Sequence, residues 1–112
     1  MGSEKNIRKL VKLLMNPTRL ALLLILASVN MPFTLNKLEK ILKIPRQTIH
    51  SHLEEMVEAG IILKKWVITD RPRVVYTINL SRTEEILSAL KYIKENVVTL
   101  EEILANKSRN SI

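Results

Sequence analysis

The stretch TLNKLEKILKIPRQTIHSHLEEMVEAG, Thr34 to Gly60, holds two short amphipathic segments around one break. In the first, Leu35, Leu38, Ile41 and Leu42 fall on one face of a helix, and Thr34 is placed to cap it. KIPRQ then interrupts the pattern. Pro45 fits the first turn of a following helix, and Gly60 fits the position just past its end, where a left-handed backbone costs glycine little. On that second helix Ile49, Leu53, Met56 and Val57 cluster on one side, which must be the buried side. Gln47, Ser51, Glu54, Glu55 and Glu58 lie roughly opposite, with Thr48 and His50 at the flanks.

Two helices of this size around a tight break have the dimensions of a helix-turn-helix. The exposed residues of the second are graded along its axis. Arg46, Gln47, Thr48, His50 and Ser51 offer donors and acceptors at the front, and the three glutamates stand at the rear. A helix entering a major groove about 12 Å wide shows its first turns to the bases while its rear lifts away from the phosphates. A negative rear is tolerable there, and a negative front is not.

The two histidines raise the rival reading of metal chemistry. His50 and His52 are two residues apart, so on a helix they point away from each other and cannot chelate one ion. The chain has no cysteine, which removes thiolate sites and a cysteine nucleophile. Its two glycines, Gly2 and Gly60, make no phosphate loop, and no serine stands at an interpretable spacing from a histidine and an acid. No metal, no cofactor and no catalytic residue is expected.

Outward from this pair, Ile7, Leu10, Val11 and Leu14 recur at spacings of three and four, predicting a helix over 4–15. Asn16 is a good cap with Pro17 at the first helical position, so a second, almost wholly apolar helix starts there and runs to about Ser28. NMPFT is a turn with a short extended segment. After Gly60 the period changes: IILKKWVI and RVVYTINL read as the strands of a hairpin over 63–79, turning at TDRP. Ser81 is placed to cap a last helix, with Glu84 completing a capping box. Leu90, Ile93, Val97, Leu100 and Leu104 form a 3-4 seam on it, and Thr99 could cap a separate short helix. The expected fold is mainly α with a small β-hairpin (α+β), one domain over 4–107, divided into an N-terminal helix 4–15, a core 16–80 and a C-terminal helix 81–107.

A chain of 112 residues with 46% apolar content can bury one modest core. Its longest apolar run, Ala21–Val29, is about half a bilayer span, and no signal peptide or membrane anchor is read. The net charge of +7 is unevenly placed: +4 in residues 1–35, +3 in 36–80 and zero in 81–112. A basic part beside a neutral part suits nucleic-acid binding joined to a protein contact. Lys64 and Lys65 on the first strand and Arg71 and Arg73 at the hairpin tip supply a second set of DNA contacts. Arg19, Lys37, Lys40 and Lys43 are further candidates for phosphate, Lys43 foremost because it immediately precedes the second helix. Trp66 shares a face with Lys64 and Ile68; anchoring the hairpin to the C-terminal helix is preferred over ligand stacking.

NPTRLALLLIL, TIHSHLEEMVEAGII and RPRVVYTINLS, in that order, resemble winged helix-turn-helix transcriptional regulators of the ArsR/MarR/PadR-like group, especially small bacterial and archaeal DNA-binding members. The resemblance covers Asn16 to about Leu80. It implies that Arg46, Gln47, Thr48, His50 and Ser51 read or clamp DNA, and that His52 approaches the backbone, where the residues alone leave it between that role and a half-buried one. It also implies that Arg71, Pro72 and Arg73 form the wing tip and that Tyr76 packs the wing on the core. Relatives pair as homodimers through terminal helices, which makes Ile7, Leu10, Leu14, Leu90, Ile93, Val97, Leu100 and Leu104 the expected interface. The wing turn here lacks the common glycine, and the cysteine and histidine–carboxylate sets of metal-sensing relatives are missing. The expectation is a cytoplasmic, homodimeric regulator of double-stranded DNA, repression being its expected sense, with no effector named. The alternative is a winged-helix module that bridges partner proteins.

Overall fold

Asn16 sets the first corner of the fold. In the computed structural model its Oδ1 accepts from the backbone N–H of Thr18 and Arg19 at 3.0 and 3.1 Å, ending helix α1 (Glu4–Leu14) and starting α2 (Pro17–Val29). The structure describes residues 4–29 and 31–110, with side chains placed for 6–29 and 31–96. Leu22, Leu23 and Leu26 of α2 are buried at the centre of the core.

Helix α3 (Leu35–Leu42) is capped by Thr34, whose hydroxyl accepts from the Lys37 N–H at 3.2 Å. It ends at Lys43, which takes a left-handed backbone with φ 56° and donates its N–H to the Glu39 carbonyl at 2.8 Å. Helix α4 (Arg46–Glu58) follows after three residues, with Ile49, Leu53 and Met56 fully buried and Val57 packed beside them. Its end is a Schellman motif. Gly60 at φ 85° donates to Val57 and Ile61 donates to Met56, and the Ile61 and Met56 side chains are both buried.

Strands β1 (Ile62–Val67) and β2 (Arg73–Ile78) pair antiparallel in the register Ile62 to Ile78 and Val67 to Arg73. The extended piece expected in NMPFT is Phe33, which exchanges two backbone hydrogen bonds with Tyr76 at 3.0 and 2.8 Å. This bridge fastens the hairpin's β2 edge to the start of α3. Tyr76 itself is buried, as the family resemblance implied.

Beyond the hairpin the sequence reading needs correction. Asn79, not Ser81, does the capping: its Oδ1 accepts from the Ser81 N–H at 3.2 Å and opens a 3-10 turn, Leu80–Arg82, before helix α5 (Thr83–Asn110). Ser81 lies inside that turn and donates its own hydroxyl to Asn79, so the Ser81–Glu84 capping box does not form. Helix α5 also continues through Thr99 rather than restarting there. Its Ile86 and Ala89 are buried, and Leu90 and Ile93 are half-buried against the same core.

The seam on α5 therefore packs first on the chain's own α1. Leu10 is 3% exposed and Leu14 fully buried, so neither has surface left for a second chain. That corrects the interface reading for these two residues: a 3-4 seam specifies a helix neighbour, and here α1 is that neighbour. Ile7 is half-buried at the edge of the same contact. The side chains of Val97, Leu100 and Leu104 lie outside the described residues.

No single helix among the described residues is long and apolar enough to cross a membrane. Together α1 and α2 reach the length, but they meet at 103°, and Leu10, Leu14, Leu22, Leu23 and Leu26 are taken up by the core.

Candidate nucleic-acid interface

The buried stripe of α4 dictates what its other faces can do. With Ile49, Leu53 and Met56 in the core, Arg46, Gln47, Thr48, His50 and Ser51 are all left exposed on its first half. The structure thus brings together the five residues expected on the reading face. At about 1.5 Å per residue the helix is about 20 Å long, a length that lies readily in a major groove.

Three polar contacts fix this helix. Arg19 of α2 donates from Nε to His52 Nδ1 at 3.0 Å, from Nη1 to the Leu13 carbonyl at 3.2 Å, and forms an ion pair with Glu55. Glu54 accepts from Lys64 Nζ on β1 at 2.9 Å. Arg46 donates to the Asn36 side chain at the start of α3. Two of the rear glutamates therefore do more than face away from DNA: they tie the helix to α2 and to the wing.

These ties revise three sequence expectations. Arg19 is occupied at each of its three nitrogens and is not an outlying phosphate contact. His52 is half-buried toward α2 with its Nδ1 held as an acceptor, the half-buried alternative of its two readings rather than the backbone contact. Lys64 is paired rather than free, and the hydrogen bond it donates to Glu54 raises its pKa above the ordinary 10.5 against an opposing cost of burial. One oxygen of Glu54 remains buried without a hydrogen-bond partner.

Between the first turns of α3 and α4 and the near face of the hairpin lies an open cleft of about 520 Å³. Arg46 and His50 line it on the helix side, and Lys64, Trp66, Pro72 and Arg73 on the wing side. Lys65 does not join them; paired with Val75, it stands on the opposite face of the hairpin. Arg71 is exposed at the tip and Lys43 is exposed at the helix-helix turn. Trp66 is 67% exposed and anchors nothing, which overturns the reading of it as a buried link to the C-terminal helix. Alternation places its face correctly, but among the described residues nothing covers the end of that face where Trp66 stands. Asn36, the partner of Arg46, escaped the sequence reading; its signal was a polar residue in the first turn of α3, opposite the break.

Among the described residues no group of three or more His, Cys, Asp or Glu could hold a metal ion. His50 is exposed at the cleft and His52 is turned to α2, the divergence expected of positions two apart.

Two helices at a tight turn, the second with a polar exposed front, followed by a hairpin fastened beside them, define a winged helix-turn-helix. A family model described as a helix-turn-helix domain matches residues 14–64. A transcriptional regulator homologue from Pyrococcus horikoshii OT3 superposes with TM-score 0.60 at 25% identity, over 83% of this chain and 97% of that one. An ArsR-like transcriptional regulator from Rhodococcus sp. RHA1 gives TM-score 0.59 at 18% identity, over 97% and 95%. A protein from the thermoacidophilic archaeon Sulfolobus tokodaii gives 0.57 at 20%, over 84% and 93%. The last two show the fold alone. No curated protein sequence matches the chain significantly. The chain has a winged helix-turn-helix fold, similar to that of the transcriptional regulator homologue and of the ArsR-like regulator. The likeness is to a helix-turn-helix domain and, at 25% identity, to a transcriptional regulator homologue.

Proposed function

We propose that the chain binds specific double-stranded DNA as a homodimeric, cytoplasmic transcriptional regulator and acts by occupying an operator, with repression as its sense. The observation that carries this is the exposed front of α4, where Arg46, Gln47, Thr48, His50 and Ser51 stand clear while Arg19 and Lys64 brace the rear. Gln47, His50 and Ser51 read base edges, and Arg71, Arg73 and Lys43 hold phosphate. In support of pairing, α5 carries exposed Leu87 and Tyr92, 59% and 51% exposed, in the charge-neutral third of the chain. Two recognition helices in successive major grooves would stand about 34–36 Å apart.

The test compares two double variants on a specific and a random duplex. Gln47→Ala with Ser51→Ala should lose discrimination between the duplexes, whereas Arg71→Ala with Arg73→Ala should weaken both alike. Should neither variant change DNA binding, this face is not the DNA surface. Light scattering on the eluting protein should give twice the chain mass. A monomer that captures a different protein would favour a bridging module instead.

A further inference from the structure

Trp66 is the only tryptophan in the chain, and it is two-thirds exposed, with half-buried Val74 opposite it and exposed Lys64 and Ile68 on either side along the same face. An indole of this size left in water forgoes a large burial gain. Its surroundings are specific. It stands on the wing wall of the cleft, with Arg46 and His50 across from it and Pro72 and Arg73 beside it. No carboxylate lines the cleft, and the nearby Glu54 is neutralised by Lys64.

A slot lined by Arg46 on the helix side and by Trp66, Pro72 and Arg73 on the wing side is complementary to an alternating polymer of anionic and apolar units. The sugar–phosphate strand of DNA is such a polymer. In a duplex the bases are stacked inward, so an indole beside the backbone meets the C–H face of deoxyribose rather than a base. We infer that the cleft between α4 and the wing takes one sugar–phosphate strand of the bound duplex, with the Trp66 indole packed against deoxyribose and Arg46 and Arg73 on flanking phosphates. This rests on the DNA-binding reading and adds an apolar contact to it. Because the contact is with sugar, it strengthens specific and non-specific duplex binding together. Because it is uncharged, it leaves the salt dependence untouched.

The experiment uses the full chain, a duplex recovered by selection, a random duplex and a single strand of the same length. Trp66 emission is followed as each is titrated. Both duplexes should shift or quench it, saturating at the same protein-to-DNA ratio as an independent anisotropy signal from labelled DNA. Trp66→Ala should weaken both duplexes by roughly tenfold with an unchanged salt slope, while Trp66→Phe keeps most of the affinity. Arg73→Ala should instead lower the salt slope by about one. Since the indole is exposed, the melting temperature of Trp66→Ala should match that of the parent chain.

Duplex binding with unmoved emission and an unaffected Trp66→Ala overturns the inference and leaves the DNA-binding reading standing. A larger response to the single strand than to either duplex also overturns it, since the indole would then be stacking on an unpaired base. Absence of binding to any duplex removes both.

Discussion

Arg19 donates from Nε to Nδ1 of His52 at 3.0 Å, joining the second helix to the recognition helix, and the same guanidinium forms an ion pair with Glu55. One cation thus fixes two positions three residues apart on α4, on the side turned to α2.

Replacing Arg19 by methionine keeps the apolar stem and removes these bonds. The expected cost is about 1–2 kcal/mol, seen as a melting temperature lower by roughly 5–15 °C. DNA affinity should fall as well, through a less firmly held helix. Its slope against salt should stay as in the parent chain, because Arg19 itself touches no phosphate. A drop in that slope by one charge would return Arg19 to the phosphate-contacting set.

The C-terminus of α4 is closed by Arg82, which donates from Nη1 to the Ala59 carbonyl at 3.2 Å and from Nη2 to Glu85 at 2.6 Å. A Cβ on Gly60 would stand 2.6 Å from that Nη1, at a position whose φ is already +85°. Gly60→Ala should cost about 1–2 kcal/mol from backbone strain, and more from displacing Arg82. In an Arg82→Ala background the same change should cost less than it does alone. Additive losses in a double-mutant cycle of thermal melts would show that the clash contributes nothing.

Lys43 holds a left-handed backbone at φ 56° in the turn between the two helices, where glycine is unstrained. Lys43→Gly should raise stability by up to about 1 kcal/mol while lowering affinity for all duplexes. Opposite signs in the melt and in the binding isotherm are the expected signature. Loss of both would mean that the side chain, not the backbone, sets this turn.

Two groups predict a fall in stability on the alkaline side. Hydrogen bonding to Glu54 raises the Lys64 pKa above 10.5, so the pair's contribution is complete below about pH 10.5 and is lost as pH rises through the raised value. Burial raises the Tyr76 phenol above 10.0, so the unfolded chain ionises first and stability drains as pH climbs past 10. Melting temperature should therefore decline from about pH 10 upward. Tyr76→Phe should flatten part of that decline, and Glu54→Gln another part. An unchanged decline in both variants would place its origin elsewhere.

The elements most legible in the sequence were those closed by local chemistry. Asn16, Thr34 and Gly60 act on backbone groups within a few residues of themselves, so the starts of α2 and α3 and the end of α4 could be read directly. Three readings failed where the answer lay outside the pattern that carried them. The spacing of Leu10, Leu14, Leu90 and Ile93 specifies a helix neighbour but does not say whose helix it is; α1 and α5 satisfy each other. Alternation told which face Trp66 shares but not whether anything covers that face. Ser81 and Glu84 matched a capping box, yet Asn79 two residues earlier reached the same backbone N–H first. His52 could be left only between two roles, because the partner that decides between them, Arg19, lies 33 residues away and no local pattern announces it.

The central claim is that the front of α4 reads duplex DNA. It is tested most directly by selecting bound duplexes from a random library with the full chain and measuring their affinity between about 50 and 200 mM salt. The account predicts enriched paired half-sites about 34–36 Å apart, with affinity falling steeply and linearly in log salt, and no enrichment with the Gln47→Ala, Ser51→Ala chain. Recovery of no common site, with weak binding indifferent to salt, would contradict it.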